Sequence, residues 1–125
     1  MEDRFKFRVW NRENKKIYTW KDITDKKGNC SLYWCMLQVQ NNEKNNILMQ
    51  CTGVKDKNGR FIYEGDIVER DHVQGKKQGV VVFDKEALQF RATNMSLYSF
   101  KHRSVVIGNI YENPELLEAS NGSVF

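Results

Sequence analysis

Three cysteines and two histidines are the first residues here that could do chemistry: Cys30, Cys35 and Cys51 with His72 or His102 could supply the four thiolate or imidazole ligands of a tetrahedral zinc site. Their spacing argues against it. Cys30 and Cys35 stand at the loose edge of ligand-pair spacing, neither histidine has a neighbouring ligand in sequence, and Cys35 lies within an apolar run. Buried free thiols are the simpler reading. Glu64 and Asp66 flank Gly65 and could bring two carboxylates to one side for metal binding or acid–base work. With no histidine, lysine or third acid fixed beside them, a turn fits better: Gly65 gives backbone freedom and Asp66 accepts hydrogen bonds from nearby amides. There is no GxSxG elbow, P-loop or GxGxxG loop, so no catalytic residue, metal site or cofactor is assigned and the chain is read as a non-enzyme.

Basic and aromatic residues interleave more suggestively. Lys6, Arg8 and Trp10 alternate along one stretch, Lys15, Lys16 and Tyr18 follow, Lys76 and Lys77 sit in a polar segment, and Lys101, His102 and Arg103 lie beside Tyr98 and Phe100. Cations next to stacking surfaces suit a ligand that carries phosphates and bases. The candidate ligand-binding residues are therefore Lys6, Arg8, Trp10, Lys76, Lys77, Lys101 and Arg103. The same residues would also suit the solvated outer faces of half-buried strands, and clusters distant in sequence need not meet in space. Twenty Lys and Arg against 16 Asp and Glu give a net charge of +4 and a pI near 9.0. That balance favours encounter with anions, though it also serves solubility.

Strands must position these side chains. From Phe5 to Trp10 the order alternates, putting Phe5, Phe7 and Val9 on one face and Lys6, Arg8 and Trp10 on the other. A polar tract over 11–16 and an extended pattern through Ile17, Tyr18 and Trp20 predict an N-terminal hairpin, with a further turn at 25–29. The apolar run SLYWCMLQV at 31–39 reads as a buried strand, although its periodicity also admits a short helix. Residues 47–51 form another strand. The pair Asn58-Gly59 predicts a tight turn with positive φ angles, Gly65 a bend, and 67–70 the next strand. Residues 71–78 read as a mobile polar loop, 79–83 (GVVVF) as a central strand, and 88–92 and 104–110 as further strands. A short terminal helix follows, with Asn113 as cap, Pro114 at its first position and Glu115 complementing the helix dipole.

A chain of 125 residues with 40% hydrophobic and 12% aromatic content can bury a core without staples. The start MEDRFKFRVW has no continuous apolar region, and no apolar run approaches a membrane span, so a cytoplasmic protein is expected. An odd number of cysteines fits a reducing compartment.

Three separated segments, FRVWNRENKKIY, MQCTGVKDKNGRFIYEGDIV and VIGNIYENPELLE, together resemble the YopX-type family of bacteriophages and prophages, over residues 5–118. Residues 19–46 and 71–104 depart from that pattern. The resemblance implies a mainly β protein: an N-terminal β-rich region (1–50) packed on an SH3-like, partly open β-barrel with a short C-terminal helix (51–125). It implies a phage accessory protein acting in the cytoplasm of an infected bacterium, with no activity to carry over.

Two functions are compatible with these readings. The first is a non-enzymatic binder of nucleic acid or a nucleotide. The second is an inhibitor or adaptor that docks a host bacterial protein, such as a defence-system component, through aromatic anchors such as Trp10, Trp20 and Trp34. Exposed strand edges would also favour a homo-oligomer. The basic balance puts the anionic ligand first.

Overall fold

Alternation from Phe7 makes an extended strand, and the polar run behind it turns the chain back. β1 (Phe7–Asn11) pairs antiparallel with β2 (Lys16–Tyr18), placing Val9 opposite Tyr18 and Trp10 opposite Ile17. The Asn11 side chain accepts from Asn14 N at 2.8 Å, and Lys15 takes a left-handed φ of 52° to finish the turn. The computed structural model describes residues 5–24, 45–72, 75–92, 95–96 and 103–118, with the backbone alone at 72, 95, 96 and 118. The turn expected at 25–29 and the strand expected at 31–39 lie outside these residues.

The extended pattern expected through Trp20 ends one residue sooner, because Trp20 opens a helix. In α1 (Trp20–Thr24), Asp22 N donates to Thr19 Oγ1 at 3.2 Å, while Thr19 N donates to Asp22 Oδ2 at 2.9 Å. This reciprocal cap satisfies amides that a short helix would otherwise leave bare. It lets Ile23 drop fully buried onto Val9, with Phe7 and Tyr18 packed around them. Phe7 meets Trp20 edge-on, with centroids 5.0 Å apart.

β3 (Asn46–Lys55) is the longest strand and runs antiparallel to β1, from Phe7 opposite Gln50 to Asn11 opposite Asn46. Asn11 Nδ2 donates to Asn46 Oδ1 at 2.7 Å and fixes that register. With β4 (Phe61–Tyr63) the sheet order is β2-β1-β3-β4. By internal packing the chain divides into two compact units, Met1–Cys51 and Thr52–Phe125.

In the second unit, the turn between β3 and β4 is tied by Asp56. Its Oδ1 accepts from Asn58 N and Arg60 N, both at 2.9 Å, and Gly59 N donates to Asp56 O at 3.0 Å. Only Gly59 has a positive φ, 83°, so Asn58 does not share the left-handed geometry expected of the pair. At Gly65, also at φ 83°, the chain bends so that Gly65 N reaches Val81 O and Gly65 O receives Ile110 N, each at 2.9 Å. The fully buried Asp66 accepts from Tyr63 N at 2.8 Å, as the turn reading expects.

The segment expected as a loop is strand at 71–72 and 75–78. β5 (Asp66–His72) and β6 (Gly75–Val80) pair from Ile67 opposite Val80 to His72 opposite Gly75, so the polar segment is the end of a hairpin. Its run of charged residues disguises the strands. The expected strand at 79–83 breaks at Val81, whose N donates to Asp66 O at 2.9 Å, and β7 (Val82–Asp84) then pairs with β8 (Gln89–Ala92). β9 (Met95–Ser96) adds to β8. β10 (Ser104–Asn109) flanks β5 on the side away from β6, with a bulge between Val106 and Gly108.

Ile62, Val68, Val81, Ala92 and Val106 form the core of this unit, with Val54 and Phe90 against it. α2 (Glu115–Glu118) ends the described chain. Asn113, expected to cap it, instead turns its Oδ1 back to accept from Asn109 N at 3.2 Å. The described residues are mainly β, with three sheets and two short helices, in agreement with the mainly β fold expected. No described helix is long and apolar enough to cross a membrane.

Candidate functional site

The candidate residues fall into both units, and they do not share one environment. Arg8 and Trp10 were expected on a solvated face of β1, yet they are 6% and 7% exposed. Arg8, Val9 and Trp10 are consecutive and all buried, so both faces of β1 are covered and its alternation separates two buried sides rather than core from water. An arginine stem tolerates such a place because its methylenes are apolar. Lys6 is half-buried. Trp10 is therefore no exposed anchor, Trp20 is half-buried against Phe7, and Trp34 lies outside the described residues.

Lys101 and His102 also lie outside the described residues, as do Cys30 and Cys35. Cys51 is a buried free thiol. Among the described residues no cluster of histidine, cysteine and acid could hold a metal ion.

Lys76, Lys77 and Arg103 remain, all exposed and all in the second unit. Hairpin register separates the two lysines. Lys76 stands opposite Asp71, and its Nζ lies 3.4 Å from Glu69 Oε1, so carboxylates answer its charge. Gln78 Nε2 donates to the other Glu69 oxygen at 2.9 Å. Lys77 points to the opposite face, where its direct partner is Arg70. Arg70 in turn stands opposite Ser104, the first residue of β10, and Arg103 immediately precedes Ser104.

A fourth cation joins them. The main-chain N of Lys57, an exposed residue in the β3–β4 turn, donates to Ser104 O at 2.8 Å. Asp56 reinforces the contact, because its Oδ2 receives Val106 N at 2.9 Å. At the start of β10 the main chains of Lys57 and Arg103 meet at Ser104, which stands opposite Arg70, itself opposite Lys77, one row beyond the buried pair Val68 and Val106. Glu69 and Asp71 belong to the other face by strand alternation, so on this face the direct partner of Lys77 is a cation.

Arg70 and Lys57 escape a reading based on clusters in sequence. The signal for Arg70 was the hairpin itself: closing the chain between 72 and 75 puts Arg70 against Lys77. Lys57 becomes adjacent only through a contact between chain segments about fifty residues apart, here between Asp56 and Val106.

A family model described as YopX protein matches residues 6–118. The chain belongs to the YopX family. Two solved structures resemble it along most of their length. Protein EF1440 from Enterococcus faecalis is 27% identical with a TM-score of 0.63, the alignment covering 90% of this chain and 96% of that one. Protein yopX from Bacillus subtilis is 21% identical with a TM-score of 0.58, covering 91% and 98%, a likeness of fold alone. No protein of curated function matches the chain. Within this YopX-family chain, the basic rim around Ser104 is the arrangement with the most evident chemistry: it can neutralise an anion.

Proposed function

We propose that this YopX-family chain is a non-enzymatic accessory protein that binds an anionic ligand, nucleic acid or a nucleotide, at the rim formed by Lys57, Arg70, Lys77 and Arg103. The observation that carries this reading is the register that sets Arg70 directly across from Lys77. Like charges directly opposed on neighbouring strands destabilise a sheet, and a bound anion turns that repulsion into attraction. The setting that goes with the reading is the cytoplasm of an infected bacterium, in keeping with the bacteriophage resemblance.

Fluorescence anisotropy with labelled single-stranded oligonucleotides and with a labelled nucleotide tests it. Binding should weaken steeply with rising salt, and Lys77→Glu combined with Arg103→Glu should abolish it, whereas Lys16→Glu in the first unit should not. Absence of binding at low salt, or equal binding by the double variant, would overturn the reading.

A second reading is favoured by the β7–β8 hairpin, where Val82, Phe83 and Leu88 are 50%, 41% and 76% exposed. An apolar hairpin of this kind suits an adaptor that docks a host protein, and it would equally serve a second copy of the chain. Phe83→Asp with Leu88→Asp should then remove a stoichiometric partner from a bacterial pull-down, or halve the mass in solution if the partner is a second copy.

A further inference from the structure

We infer that Asn58 is a site of spontaneous deamidation in the folded protein, and that the resulting isoaspartate loosens the Asp56 tie between the β3–β4 turn and β10. Asn58 is exposed, and its carboxamide makes no hydrogen bond among the described residues, where only its main-chain N is engaged, by Asp56 Oδ1 at 2.9 Å. The next residue is Gly59, and a Cβ built there would meet nothing within 4 Å. Open space on both residues removes the steric obstacle to ring closure.

The reaction uses only the chain and water. The Gly59 amide nitrogen, having given up its proton, attacks Asn58 Cγ. A C–N bond forms, and the side-chain nitrogen leaves with a proton as ammonia, giving a cyclic imide. Water then adds to one of the two imide carbonyls and breaks its C–N bond, yielding aspartate or isoaspartate. Gly59 N donates to Asp56 O at 3.0 Å in the closed turn, so that hydrogen bond must open first, and the rate reports local opening of the turn.

Isoaspartate carries one more carbon in the main chain and a new carboxylate beside Asp56. Asp56 is 5% exposed and accepts from Asn58 N, Arg60 N and Val106 N, so a lengthened turn displaces two of its three donors and weakens its hold on β10.

The test is to age the folded chain in warm, mildly alkaline buffer, cleave after glutamate, and map mass and isoaspartate. Such cleavage separates position 58 from the other Asn-Gly pair, Asn121-Gly122, which lies outside the described residues. Position 58 should convert to a mixture of aspartate and isoaspartate with release of ammonia, and Asn58→Gln should lose the reaction. The isoaspartate fraction should melt below the Asn58→Asp variant, which has the charge without the extra carbon. A position 58 that stays intact in the folded chain while it reacts in the denatured chain would overturn the assignment. Equal melting of the isoaspartate form and Asn58→Asp would overturn the effect on Asp56.

Discussion

Arg70 and Lys77 are direct partners across the β5–β6 hairpin, two cations sharing one face of the sheet. Like charges directly opposite destabilise a sheet, so stability and ligand affinity should move in opposite directions here. Lys77→Glu should raise the denaturation midpoint slightly while removing affinity for an oligonucleotide. A variant that loses both would show that Lys77 contributes through packing instead.

Gly65 adopts φ 83° and holds main-chain hydrogen bonds to Val81 and Ile110. Gly65→Val places a β-branched side chain in a left-handed conformation and should cost about 1–3 kcal/mol. An unchanged midpoint in urea would sink that account of the bend.

Asp56→Ala removes the acceptor of three main-chain amides, one of them 50 residues away at Val106. The expected loss is about 2–4 kcal/mol, most of it from stranding the buried Val106 N. Hydrogen exchange should show the amides of Asn58, Arg60 and Val106 losing protection together; protection retained at Val106 would mean that another acceptor replaces the carboxylate.

Acid should weaken two local devices. Asp84 is held below the ordinary carboxylate value chiefly by the Ala87 N–H, with Glu86 N–H and Arg91 adding to it, and Asp22 chiefly by the Thr19 N–H. A depressed folded value means that the stabilisation is present above the unfolded value of about 3.9 and is lost as pH falls through the folded one. Asp22 is exposed and Asp84 only half-buried, so the effect is small. Carboxyl resonances in an NMR titration should move below that value, and a midpoint at or above it would contradict the geometry.

Thr19→Ala removes one half of the reciprocal cap on α1 and should cost about 1 kcal/mol, read as a lower melting temperature of the Ile23–Val9 core.

Local chemistry was legible wherever a residue acts on near neighbours. Asn11 and the polar tract behind it, Gly65, and Asp66 turning to nearby amides all follow from residue type and spacing. Thr19-x-x-Asp22 was equally legible as a capping box, but Trp20 beside it suggested a strand. What could not be read was neighbourhood across the sheet. Arg8 and Trp10 alternate as a solvent face would, yet both are buried, and nothing in their own spacing signals that this face is covered. The rim around Ser104 required knowing that β5 and β6 pair, and that Lys57 meets Ser104 from a distant segment.

Asp56 divides its two carboxylate oxygens between near and distant chain: one serves residues two and four positions ahead, the other a residue fifty ahead. The near bonds need little loop closure and can form while the rest of the unit is still open, whereas the distant one must wait for β10 to arrive. We predict that folding meets Asp56 already oriented by its own turn, with the bond to Val106 N made on the native side of the barrier. Substituting Asp56 should then accelerate unfolding more than it slows folding, which makes this carboxylate a determinant of how long the native state persists.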